Sequence, residues 1–176
     1  MRMARTSLFA VLSLAIATAP MIDTARAGSI PRQLYNKSIT VNWGETGVYK
    51  RVSDGLTSPN TGQYQVTTYI SSAGRIFVSG KSKSGSYGGS RQIGPEKTET
   101  KFEGNTLFGV SVNRGIARHL SATFDPAYSS CTGSITIGKS GPGTKVTGFD
   151  GAVYEVVSMQ PGAISCSIRD GNALAN

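Results

Sequence analysis

Histidine and tryptophan each occur once and cysteine twice in 176 residues; aromatics make up 8% of the chain and charged residues 16%. One imidazole and two thiols cannot build a multi-ligand zinc or iron–sulfur site without carboxylate help, so neither a metal nor another cofactor is expected. No Gly-x-y period points to collagen, and 38% hydrophobic residues are too many for a disordered tail. Gly-x-Ser-x-Gly, His-Glu-x-x-His and Ser-x-x-Lys signatures are absent, which removes the familiar serine-nucleophile and zinc-protease chemistries. The longest apolar run falls short of the roughly 20 residues that cross a bilayer as a helix.

That run marks an address instead. Arg2 and Arg5 precede Leu8–Ala19, and the small-residue triplet Ala25-Arg26-Ala27 precedes Gly28, the pattern of a secretory signal peptide cut after Ala27. The expected organisation is a signal peptide over 1–27 and a single domain over 28–176, secreted or periplasmic. No cysteine follows the run to take a lipid, no Arg-Arg pair marks the twin-arginine route, and the final GNALAN offers no anchor, so no transmembrane span is expected. Cleavage removes three arginines and one aspartate, leaving 149 residues with a net charge of +6. Export into an oxidising compartment makes Cys131 and Cys166 a disulfide pair.

Along the processed chain the apolar period is two. Ile39, Val41 and Trp43 alternate with Ser38, Thr40 and Asn42, and the same alternation runs through 63–70, 75–79, 106–112, 116–124, 131–137, 152–158 and 163–169. Weaker strands are expected at 48–52 and 98–103. Turn formers separate them, among them Ser53-Asp54-Gly55, Ser58-Pro59-Asn60, Gly141-Pro142-Gly143 and Pro161-Gly162. Only Ser29–Asn36 reads as helical, with Pro31 in its first turn.

Cys131 shares parity with Ile135 and Ile137, and Cys166 with Ile164 and Ile168, so both sulfurs point into one core. The fold class is all-β: an antiparallel β-sandwich or closed β-barrel of about 8–10 strands, with a short N-terminal helical turn. Strands of five to eight residues are too short for an outer-membrane barrel, which needs about nine to eleven. A helical turn, a first strand ending at Trp43, many antiparallel strands and a late disulfide resemble lipocalin-type barrels in architecture alone. Val41-Asn42-Trp43 stands where that family has Gly-x-Trp.

The clearest motif is a decoy. Gly133–Ser140 fits the G-x-x-x-x-G-K-[ST] phosphate loop, yet Ser-Ile-Thr-Ile is strand material and Gly141-Pro142-Gly143 prevents a helix from following. His119 lies on the polar parity of its strand, and Asp125-Pro126 and Asp150-Gly151 read as turn aspartates. A hydrolase would have to draw on these groups and Glu155, and a barrel would offer an interior for a small hydrophobic ligand. Asn36-Lys37-Ser38 matches the N-glycosylation triplet.

The feature best suited to binding is Gly80–Lys97, a Gly/Ser-rich stretch expected to be an 18-residue loop, with Lys81, Lys83 and Arg91 around Tyr87. Cations beside one aromatic fit an anionic polysaccharide or envelope component, whereas so few basic residues give no sequence-specific nucleic-acid binding. The expectation is a noncatalytic, envelope-associated binding module.

Overall fold

The computed structural model describes residues 30–84, 89–93, 98–113, 116–138, 143–148 and 150–175; the segment expected to be a signal peptide, 1–27, lies outside them. After a 3₁₀ turn at Arg32–Leu34 come β1 (Lys37–Arg51), β2 (Thr57–Ile70), β3 (Ile76–Ser84), β4 (Gly89–Ile93), β5 (Thr98–Glu103), β6 (Thr106–Asn113), β7 (Ile116–Phe124), β8 (Cys131–Gly138), β9 (Lys145–Thr147) and β10 (Val153–Asp170). They make two antiparallel sheets, of six strands in the order β4-β3-β2-β1-β10-β9 and four in the order β5-β6-β7-β8. Each sheet keeps its own edges, so the fold is a sandwich. The closed-barrel alternative and the lipocalin-type likeness are thereby corrected.

Period-two alternation produces the two layers. In β7 Ile116, Leu120, Ala122 and Phe124 are buried while His119 and Thr123 are exposed. Across the gap Ile39, Val41 and Trp43 of β1, and Val66 and Ile70 of β2, meet Leu120, Ala122 and Phe124 together with Leu34 from the 3₁₀ turn. Each such side chain contributes roughly 1.5–3 kcal/mol by leaving water. A smaller cluster of Ile116, Val146 and Val156 fills the other end, with Tyr49 and Ile137 against it.

Several turn assignments give way to strand. Ser58-Pro59-Asn60 lies inside β2, and Pro161-Gly162 lies inside β10. Pro161 pairs with Glu45 at a register shift between Trp43 and Glu45, and it is the irregularity of this ladder that accommodates a proline mid-strand. Segments 39–43 and 48–52 fuse into one strand apart from Val52, so β1, β2 and β10 are far longer than the five to eight residues the punctuation implied. The Gly80–Lys97 loop is also corrected: β3 runs on to Ser84 and pairs with β4. Backbone pairing along β2 outweighs the low strand propensity of glycine and serine there. The helical reading of Ser29–Asn36 shrinks to Arg32–Leu34, and Ser29 lies outside the described residues.

Cys131 opens β8 and Cys166 lies in β10, and their disulfide ties one sheet to the other with the Cα atoms 5.6 Å apart. Gly133 makes the close approach feasible, since a Cβ there would sit 3.1 Å from Ile164 Cγ1 and 3.5 Å from Cys166 Cβ. The phosphate-loop pattern is extended strand through Gly138, and Lys139 and Ser140 lie outside the described residues.

Candidate functional site

The outer face of the six-stranded sheet is polar because the inner parity holds the apolar residues. Register arranges this face in rows across β3, β2, β1 and β10. Ser79, Thr67, Thr40 and Ser167 form a central row; Lys81, Gln65, Asn42 and Ser165 flank it on one side, and Phe77, Tyr69, Ser38 and Arg169 on the other. The Thr40 and Thr67 hydroxyls are hydrogen-bonded at 3.1 Å.

The C-terminal segment folds back over these rows. Fully buried Ser38 donates its hydroxyl to the Gly171 carbonyl at 2.7 Å and accepts the Ala173 N–H at 2.9 Å. The anchored segment walls a pocket of about 200 Å³, floored by Thr40, Gln65, Thr67 and Ser79, flanked by Lys81 and Arg169, and bounded by Ala173 and Leu174. Its described lining thus holds two cations, three hydroxyls and a carboxamide, with no carboxylate to neutralise the cations. Such a lining offers N–H and O–H donors to an anion and to hydroxyl groups beside it.

Of the binding residues read from the sequence, Lys81 reaches this pocket. Lys83 occupies a β3 position opposite Gln63, and Arg91 a β4 position opposite Ser82; their side chains, like all of Tyr87, lie outside the described part. Arg169 and the C-terminal wall are new. Their signal was the outward parity of Arg169 beside Ile168.

A second cluster that sequence reading missed lies between the sheets. Glu45 and Arg118 are 4% and 2% exposed. Arg118 grips the carboxylate through two parallel bonds, Nε to Oε1 at 2.5 Å and Nη2 to Oε2 at 2.6 Å. Trp43 Nε1 donates to the same Oε1 at 2.8 Å. The guanidinium lies 4.4 Å from the Tyr64 ring centre, and Tyr64 in turn stacks on Trp43 at 5.4 Å. A Cβ at Gly62 would fall 2.6 Å from the Tyr64 ring, so glycine leaves room for this stack. Burial alone would lower the Arg118 pKa, but the hydrogen bonds and charge of Glu45 outweigh it and the value is raised.

Burial also pushes the Tyr64 hydroxyl up to about 12, with the Arg118 charge opposing and Glu45 reinforcing the shift. Because the folded value lies above the unfolded 10.0, this group's stabilisation is complete below the unfolded value and is lost as pH rises through the folded one. Denaturation midpoints measured across that alkaline window are expected to fall by at most about 3 kcal/mol of stability from this source. Tyr64→Phe removes this part of the slope, and an identical slope in the variant would contradict the assignment.

The remaining candidates sit in turns or on the surface. Asp125 accepts the Ser129 hydroxyl at 2.6 Å and the backbone N–H of Ser129 at 2.7 Å, and the Ser129 hydroxyl chiefly holds its carboxyl below the usual range. Asp150 accepts the Ala152 N–H and the Tyr154 hydroxyl. Glu155 lies on β10 opposite Lys50 and Lys145, and His119 is exposed on β7. The Asn36 carboxamide of the glycosylation triplet accepts the Tyr69 hydroxyl at 3.0 Å.

Among the described residues no group of three His, Cys, Asp or Glu side chains could hold a metal, and no helix is long and apolar enough to cross a membrane. A cavity between the sheets, beside Val41, Leu107 and Leu120, measures about 20 Å³, room for one water molecule rather than a lipid. No protein-family model, curated protein or solved structure matches the chain.

Proposed function

We propose that the chain is an exported, noncatalytic binding module that holds an anionic polymer of the cell envelope or its surroundings against the outer face of its six-stranded sheet. The observation that carries this reading is the pocket in which Lys81 and Arg169 approach from two sides of a hydroxyl-lined floor with no carboxylate in the described lining. Cations with no carboxylate beside them in the described lining attract anions and steer them into the pocket. The disulfide between the sheets suits an oxidising compartment.

The test is retention on immobilised polygalacturonate and polyphosphate, eluted with a salt gradient. Lys81→Ser combined with Arg169→Ser is expected to weaken binding about tenfold, each exposed charge contributing up to about 1 kcal/mol. Both side chains lie on the outer face, so the melting temperature should stay put. Unchanged retention of the double variant would overturn the reading.

A further inference from the structure

The row beside the pocket holds an aromatic pair. Tyr69 and Phe77 face each other across β2 and β3 with ring centres 6.1 Å apart and planes inclined by 29°. Phe77 is 48% exposed, and in its row it stands among the polar Ser38 and Arg169. The Tyr69 hydroxyl is fixed on Asn36, so the platform is held in place before any ligand arrives. Phe77 precedes Ser79 of the pocket floor by one strand repeat and Lys81 by two, or about 13 Å along the strand. Aromatic surface, hydroxyls and carboxamide, and then a cation therefore follow one another along β3 and its neighbours.

We propose, building on the anion-binding reading above, that the ligand is an acidic polysaccharide: one sugar ring lies on the Tyr69–Phe77 platform, and a neighbouring ring places its acid group between Lys81 and Arg169. The C–H face of a pyranose ring is apolar and covers an exposed aromatic face, while its equatorial hydroxyls pair with hydroxyl and carboxamide side chains. Thr40, Thr67, Ser79 and Gln65 supply that complement. A polyphosphate has nothing to lay on the platform and little use for the hydroxyl floor. Single-stranded nucleic acid stacks on aromatics too, but it requires a groove of cations following its backbone, and the described lining holds two.

Calorimetric titration of the processed chain with oligogalacturonate, a heparin oligosaccharide, polyphosphate and an oligothymidylate of matched charge separates these chemistries; the first two arms distinguish carboxylated from sulfated glycans. At least one acidic glycan is expected to bind about tenfold more tightly than polyphosphate or the oligonucleotide. Phe77→Ala is expected to remove about that factor for the glycan and leave polyphosphate unchanged, whereas Phe77→Trp keeps glycan binding and shows a blue-shifted emission on stacking. Polyphosphate or oligonucleotide binding as tight as the glycans, or a Phe77→Ala variant with undiminished glycan affinity, overturns the polysaccharide assignment while leaving an anion site. Failure of every anionic probe overturns both readings.

Discussion

Glu45→Ala is expected to lower the unfolding free energy by roughly 3–5 kcal/mol, enough to threaten a domain of ordinary stability. The loss is large because the carboxylate leaves behind Arg118, 2% exposed, as an uncompensated charge between two sheets, and strips the Trp43 indole of its acceptor. Arg118 stands between Ile116, which belongs to one apolar cluster, and Leu120, which belongs to the other. The pair therefore forms the polar seam where the two halves of the core meet. Replacing both partners together, as Glu45→Leu with Arg118→Met, is expected to cost far less, because buried ion pairs exchanged for apolar groups of similar volume are often neutral. Urea titrations followed by circular dichroism give both numbers. A loss below about 1 kcal/mol in Glu45→Ala would mean that water reaches the seam and solvates the arginine.

Loss of the Cys131–Cys166 bond is the second large effect. The bridge closes a loop across a sequence separation of 35 residues, for which the chain-entropy relation gives about 4 kcal/mol. Its placement matters as well as its length, since it joins β8 at the rim of one sheet to β10 inside the other. Cys131→Ser with Cys166→Ser is expected to lower the melting temperature by about 8–16 °C at roughly 2–4 °C per kcal/mol for a domain of this size and larger, and the same drop should follow reduction of the parent. A parent protein that titrates two free thiols when native would refute the bond.

Alternation was the dependable signal in the sequence because side-chain direction is a local property of extended backbone. It placed Ile39, Val41 and Trp43 inward, put His119 on the surface and turned both sulfurs into the core. The same rule, carried one step further, places Glu45 two residues after Trp43 on the inner parity, and Arg118 on the apolar parity of β7. Two opposite charges on inward positions are the sequence's own notice of a buried pair. Strand ends were harder to read. Pro59 and Pro161 are turn formers by propensity, yet both sit inside long strands, since the neighbouring ladder decides whether a proline ends a strand. The pocket was the least legible part. Lys81 and Arg169 are brought to one pocket only because β1 and β2 lie between β3 and β10, an order that no local pattern encodes.

That strand order also governs how the chain is made. β1 lies at the heart of the large sheet, and its first residue, Lys37, pairs with Asp170 near the far end of the chain. At about 5–20 residues per second, a ribosome takes roughly 7 to 27 seconds to travel between those two codons. Through that interval β1 can pair with β2 along one edge while its other edge waits, so the large sheet is completed only once β10 has been made. The delay is written into the topology itself.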